Sequence, residues 1–401
     1  MIETSNINIT LIGVSNESNP KFSSDILELI SKAKFFSGGN RHYGLVKSIL
    51  PIDFDWIPIK GKMESVINQY KSLETNQIVI FTSGDPFFFG FGNTLKRLMP
   101  DVQIKSYPFF HSIQRLAQKM SLNYSELKTI SLHGRTWDKL DEALLNNLPL
   151  IGLLTDKTHS PKLIAERLIA FSYLNYEIIV GEELDGDSEK YSKLDLKQAL
   201  NYQAADLNCV ILKQTISKPL VRSFLDSSYV KLEGRPNMIT KQYIRMISIE
   251  SFSFNTSKVF WDIGACTGSI SIEAKRNYPW LKVLSFEKRS ECLDIINKNC
   301  KSHQVPGIEV FIGDFFNQKL DELPKPQSIF IGGHGGRLKE LIELVDNYLE
   351  SGGRIVMNTV QESSNSTFKS TVLEHNYSLL SSNQISINNH NTISVLVAQK
   401  M

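Results

Sequence analysis

Trp261-Asp262-Ile263-Gly264-Ala265-Cys266-Thr267-Gly268-Ser269-Ile270-Ser271-Ile272-Glu273-Ala274 is the stretch that decides the fold. The apolar run over residues 258–263 reads as a strand, and Gly264 ends it. Residues 269–277 read as a helix. A strand that passes through a loop of small residues straight into a helix is the opening unit of a parallel α/β sheet. Small loop residues let the backbone approach a ligand, and the helix offers its amino end.

The alternation continues outward from this point. Strands are expected over residues 281–286, 308–312, 328–331 and 354–357, with a helix over 290–303. A helix over 240–250 precedes the stretch, with Thr240 as its N-cap. Residues 378–387 and 392–399 read as an antiparallel pair completing the sheet. The amino-terminal half alternates too: strands at 7–12, 77–82, 149–154, 176–181 and 207–213, a helix over 24–34, and another opening near Ser160-Pro161. Residues 214–235 are polar, carry Pro219 and lack a periodic run. The expected division is therefore 1–213, a linker over 214–235, and 236–401, both domains being α/β.

The 401 residues suit two domains, and 41% hydrophobic with 21% charged residues is ordinary globular composition. A formal net charge of +2 gives no basic excess for nucleic acid. Met1 to Asn6 lack the basic region and apolar run of a signal peptide, and no stretch is long enough to span a bilayer. The expected location is the cytoplasm. Cys209, Cys266, Cys292 and Cys300 form no C-x-x-C pair and are expected to be small buried apolar residues. The histidines show no metal-ligand spacing, so no protein-bound metal is expected.

In an open α/β sheet, ligands bind beyond the carboxyl ends of the strands. Each unusual loop of the second half lies there. Glu287 stands 23 residues after Gly264, at the end of the second strand, where a carboxylate can accept both hydroxyl hydrogens of a ribose. Asp314, after the third strand, can accept from an adenine amino group. A dinucleotide site needs G-x-G-x-x-G, and Cys266 and Ser269 stand where the later glycines belong. The loop suits a nucleoside without a pyrophosphate. Taken singly, the glycine loop reads as a tight turn and Glu287 as a solvated residue; the ordered set carries the signal.

These residues resemble class I S-adenosylmethionine methyltransferases. The segments RPNMITKQ (Arg235 to Gln242), WDIGACTGSISIEA, FIGGHGG (Phe330 to Gly336) and GGRIVMNTVQE (Gly352 to Glu362) are similar to the decarboxylating precorrin branch. Cys266 departs from the family's usual glycine. In the first half, Thr82-Ser83-Gly84-Asp85-Pro86 follows a buried strand, and Ser131-Leu132-His133-Gly134-Arg135 follows another strand-like run. With Gly38-Gly39-Asn40-Arg41-His42, the Phe87 to Gly90 run and Leu154-Thr155-Asp156, they resemble the tetrapyrrole methylase family, in its carbon-5 branch. Two loops depart from that family. Gly13-Val14-Ser15-Asn16-Glu17 stands for Gly-x-Gly-Pro-Gly, and Pro108-Phe109-Phe110-His111-Ser112 for a Pro-Gly loop.

The resemblance implies a tetrapyrrole methylase fold followed by a Rossmann-like class I fold, both using S-adenosyl-L-methionine on a precorrin tetrapyrrole of cobalamin biosynthesis. It implies methylation at carbon-5 by the first half, and methylation at carbon-15 with decarboxylation of the ring-C acetate by the second. Gly13, Gly84 and Asp85 are the implied cofactor residues of the first half. In the second they are Asp262, Gly264, Ala265, Thr267, Gly268, Glu287 and Asp314. Gly332 and Gly333 would admit the flat macrocycle, and His334 would hydrogen-bond or exchange a proton. His133, Arg135 and Arg235 are expected to meet the substrate, whose carboxylates suit arginines, with Arg337 and Lys241 as further cations beside the motifs. The bland readings, a loop histidine and solvated surface cations, stand beside these. Both families often assemble as dimers and tetramers, so a homo-oligomer is expected. Two rivals remain: a class I RNA methyltransferase joined to an unrelated α/β domain, and a chain whose first half only binds substrate.

Overall fold

The computed structural model describes residues 7–73, 77–387 and 391–401. Met1 to Asn6, read above for a leader, lie outside them. The described residues form two compact units, with three stretches of chain in each.

The first unit holds two five-stranded sheets. One is all parallel, ordered Asp55–Pro58, Phe35–Gly38, Gln77–Ser83, Asn8–Val14, Gln103–Tyr107. Its central strands are apolar on both faces. Ile9, Leu11, Ile78 and Ile80 enter one core, and Ile12, Val14, Val79 and Phe81 the other, as the two-residue period of a doubly covered strand requires. The other sheet is mixed, ordered Lys128–Ser131, Leu150–Leu154, Asn208–Gln214, Tyr176–Glu182, Lys190–Leu194. The helix announced by Ser160-Pro161 runs Pro161–Ala170, with proline at its first position, where the missing N–H costs nothing.

The second unit is built on one seven-stranded sheet. Its order is Ile308–Ile312, Lys282–Glu287, Val259–Ile263, Ser328–Ile331, Arg354–Thr359, Ile393–Lys400, Tyr377–Ile385. The first five strands are parallel and the tail hairpin is antiparallel. Trp261 and Ile263 face one core while Phe260 faces the other. The chain reverses its direction of winding between Val259–Ile263 and Ser328–Ile331, the switch point at which such sheets bind ligands.

Three expectations need correction. Thr240 is not an N-cap: the helix is Gln242–Glu250, capped at Lys241 without a side-chain bond, and the Thr240 carbonyl instead accepts from Arg245 Nη1 at 2.5 Å. Nor is the linker expected over 214–235 a free connection: Gln214 ends the strand Asn208–Gln214, and residues 216–235 cluster with the second unit. The Phe224 N–H donates to Glu273 Oε1 at 3.1 Å, the Val230 N–H to Asn299 Oδ1 at 2.7 Å, and Tyr229 is buried. Glu273 and Arg245, both buried, pair at 2.9 Å beneath this segment and anchor it, while most of its own residues remain exposed. The units are also not cut once: residues 136–148 and 167–175 cluster with the second. All four cysteines are free and buried.

Candidate functional sites

Each unit contains a cavity at strand ends. The larger, about 730 Å³, lies in the second unit at its topological switch point. The Gly264 N–H donates to the Phe286 carbonyl at 2.8 Å, and the Cys266 N–H to Glu287 Oε2 at 2.9 Å. The glycine loop is thereby pinned to the neighbouring strand. Gly264 has φ +80°, and a Cβ there would lie 2.6 Å from the Gly333 nitrogen, so two loops touch through their backbones. Cys266 adopts φ +50°, a left-handed conformation that the family's glycine meets without strain.

Glu287 is buried at the cavity wall, with Oε1 accepting from the Arg289 N–H at 3.0 Å and Nη1 at 3.1 Å. Asp314 accepts from the Phe316 N–H at 3.2 Å and from Lys288 Nζ at 2.9 Å, which holds its carboxyl below the usual range. Asp262 is buried beneath the loop. Its Oδ2 accepts from the Ser271 hydroxyl at 2.6 Å, and Oδ1 has no partner. Burial raises this carboxyl to about 6, against the lowering pull of Ser271. Ala265, Thr267, Gly332 and Gly333 also line the cavity, whereas Gly268 (φ +72°) starts the helix behind it against Ile296.

His334 stands half-buried on the wall. Its Nδ1 accepts from the Gly336 N–H at 3.2 Å, so the proton of the neutral ring sits on Nε2, 3.4 Å from the Ser364 hydroxyl. Burial lowers its pKa, keeping it neutral at neutral pH. Arg235 is exposed, contacts Met238 Sδ and is not among the lining residues. Arg337 does line the cavity, stacked 3.6 Å over Phe316 and paired with Glu340. Arg289, Phe316 and Asn358 also stand on the wall. None was singled out in the sequence. Arg289 was within reach of inspection, being a cation two residues past the strand-end glutamate.

The cavity of the first unit is about 480 Å³. A Cβ on Gly13 would lie 1.9 Å from the Gly84 carbonyl oxygen and 2.6 Å from the Phe109 nitrogen, so three backbone segments meet at that glycine. Gly84 (φ +58°) lines the cavity. Gly13 and Asp85 do not. Asp85 shapes the turn, accepting from the Phe87 N–H at 2.8 Å, while Val14, Ser15 and Asn16 form the wall. His133 lines the cavity, with Nδ1 3.3 Å from the Thr155 carbonyl. Arg135 is off the wall, stacked 5.2 Å from the Phe89 ring centroid.

His111 replaces the expected glycine loop with a helix cap. Its Nδ1 accepts from the Gln114 N–H at 3.2 Å, Nε2 lies 2.8 Å from the Tyr124 hydroxyl, and the ring stacks 3.4 Å from Phe88. His42 Nδ1 accepts from the Gly39 N–H, and its Nε2 is 2.9 Å from Ser83 Oγ. Burial holds both histidines down to about 4, helped at His42 by the Arg41 charge.

The strand order, the glycine turn and the acidic strand ends of the second unit define a class I methyltransferase fold around a nucleoside-sized site. Residues 234–396 match the family of precorrin methyltransferase domains. The chain is 28% identical to the precorrin-6Y C(5,15)-methyltransferase [decarboxylating] of Sinorhizobium sp, over 88% of this chain and 84% of that protein. It is 30% identical to the probable cobalt-precorrin-6B C(15)-methyltransferase (decarboxylating) of Sulfolobus acidocaldarius, covering 34% of this chain and 69% of that one. It is 23% identical to the cobalt-precorrin-7 C(5)-methyltransferase of Salmonella typhimurium, covering 51% of this chain and 98% of that one. The chain belongs to the precorrin methyltransferase family.

Proposed function

We propose that this chain is a bifunctional, S-adenosyl-L-methionine-dependent methyltransferase of cobalamin biosynthesis, acting on a precorrin at carbon-5 through its first unit and at carbon-15, with decarboxylation of the ring-C acetate, through its second. The observation that carries the reading is the second cavity. There a left-handed glycine, a loop clasped by Glu287, and Asp314 stand at three successive strand ends.

The residues present fit the cofactor. A Cβ at Gly264 would push against the Gly333 backbone that lines the cavity, and the buried Asp262 Oδ1 is an acceptor without a donor. Glu287 would hold the ribose and Asp314 the adenine amino group, with Ala265, Thr267 and Gly268 shaping the turn. An oxygen of an ionised carboxylate has about two acceptor sites. Oε1 of Glu287 is filled by Arg289, so accepting both ribose hydroxyls requires the Arg289 side chain to move aside. In the first cavity Gly84 offers backbone at the wall, and Gly13 and Asp85 hold that backbone in place.

The cofactor supplies an electrophilic methyl group on a sulfonium. The meso carbons of a partly reduced tetrapyrrole are enamine-like, so the protein need not build a nucleophile. Its task is alignment and exclusion of water, which is worth roughly 7–11 kcal/mol in well-oriented reactions. Gly332 and Gly333 leave room for a flat ring. His334, neutral with its proton on Nε2, is a donor suited to orienting the acetate whose carboxylate leaves as carbon dioxide. The reading expects a cytoplasmic homo-oligomer without nucleic-acid or membrane partners; no helix among the described residues is long and apolar enough to cross a membrane.

Incubating the chain with S-adenosylmethionine and precorrin-6Y, with product masses as readout, tests the reading. The expected product has gained two methyl groups, each in place of a hydrogen, and lost one carbon dioxide. A product with neither change overturns the proposal, and one modified only at carbon-15 reduces the first unit to a substrate-binding role.

A further inference from the structure

The first cavity carries a cation that forms no direct ion pair among the described residues, although the Glu183 carboxylate attracts it from behind Asn16. Its other arginine, Arg115, is committed to Asp185, with Nε 2.9 Å from both carboxylate oxygens. Arg41 is different. Its Nη1 donates to Asn16 Oδ1 at 2.6 Å and its Nη2 to Ser83 Oγ, both neutral acceptors, and it forms no ion pair among the described residues. A guanidinium has five N–H donors. Most of this one's donors therefore remain unspent at the cavity mouth.

The neighbouring groups add donors. His42 Nδ1 accepts from the Gly39 N–H, so the ring's proton is on Nε2 and points at Ser83 Oγ. Ser83 thus accepts from both Arg41 and His42, and its own hydroxyl hydrogen is left over. Asn16, which aims the guanidinium, is itself fixed by donating from Nδ2 to Glu183 Oε2 at 3.1 Å. It is further confined by Gly186, where a Cβ would come within 2.6 Å of Asn16 Nδ2. The result is a held cation and a free hydroxyl side by side, a donor set with no anion bonded to it directly.

We propose that Arg41 and Ser83 form a carboxylate-binding subsite of the first cavity, which takes one acetate or propionate side chain of the tetrapyrrole and so orients the ring for methylation. The assignment rests on the carbon-5 reading of this unit. It differs from the expectation drawn from sequence, in which Arg135 met the substrate. Arg135 spends its face on Phe89 and stands off the wall. The cofactor's amino-acid group also ends in a carboxylate, so the two sources need separating.

The test uses the full chain carrying Arg41→Gln, Arg41→Lys or Ser83→Ala. It reads steady-state carbon-5 methylation of the tetrapyrrole, calorimetric binding of S-adenosylhomocysteine, and a thermal melt to confirm folding. Loss of a charge-assisted contact is worth about ten- to a hundredfold in binding. Arg41→Gln is expected to raise KM for the tetrapyrrole by about that factor with a smaller change in kcat. Arg41→Lys should recover part of the loss, and Ser83→Ala should show a smaller one. S-adenosylhomocysteine affinity should not change. A weakened S-adenosylhomocysteine affinity with an unchanged tetrapyrrole KM assigns the subsite to the cofactor and overturns the proposal. So does a folded Arg41→Gln chain with both values unchanged. Absence of carbon-5 methylation by the unaltered chain is a separate result, striking the reading of the unit; direct titration of the tetrapyrrole into unaltered and Arg41→Gln chains then decides the subsite by itself.

Discussion

The Cys266 N–H donates to Glu287 Oε2 at 2.9 Å, joining the glycine loop to the end of the adjacent strand. Because Cys266 reaches this bond from φ +50°, the clasp forms in a conformation that suits glycine. Cys266→Gly is expected to keep the loop and the binding of S-adenosylhomocysteine. The strain relieved and the unfolded-chain entropy gained oppose each other, so stability should shift by less than about 1 kcal/mol. Denaturant titration of both chains checks this.

Gly264 is the opposite case. Its Cβ would lie 2.6 Å from the Gly333 nitrogen, a backbone atom that cannot swing away. Gly264→Ala should cost roughly 1–3 kcal/mol through overpacking and more through its positive φ. It should also spread the loops apart and abolish binding in the second cavity. A variant that melts and binds like the parent would remove Gly264 from the site.

Arg289 occupies the Glu287 oxygen that a ribose would need. Arg289→Ala therefore leaves S-adenosylhomocysteine affinity in the second cavity unchanged or improves it. Calorimetry reads this directly, and a loss of about tenfold or more, the size of a charge-assisted bond, would show that Arg289 contacts the ligand.

Acid should loosen the first unit. His42 and His111 are held down to about 4 from an ordinary value near 6.5. The unfolded chain thus takes up protons first, so their contribution is fully present above about pH 6.5 and is lost as pH falls toward about 4. His111 is buried and must stay neutral to accept from the Gln114 N–H. His111→Asn keeps a capping acceptor without a titrating ring. It should flatten the pH dependence of hydrogen exchange in the Ser112–Lys119 helix, and an unaltered slope would exclude His111 as its source.

Much of this was legible in the sequence, for physical reasons that differ by residue. Val259–Ile263 and Ser328–Ile331 fall where the sequence puts them, because a strand buried on both faces leaves a nearly continuous apolar run. Strands Phe35–Gly38, Asp55–Pro58 and Lys190–Leu194 escaped, being short or carrying polar residues at partly covered positions. The site divides similarly. Glu287 and Asp314 line the second cavity, where their places at strand ends put them. The places of Arg289, Arg41 and Asn16 on the cavity walls depend on side chains meeting across the fold, which spacing along the chain does not encode. Arg235 and Arg135 illustrate the converse: a cation beside a motif in sequence need not face the cavity.

The most direct test of two working methyltransferases in one chain is calorimetric titration of S-adenosylhomocysteine into the full-length protein and its Glu287→Ala variant. The account predicts two sites per chain in the parent and one in the variant. One site in the parent that disappears in the variant would contradict it, leaving the first unit without a cofactor.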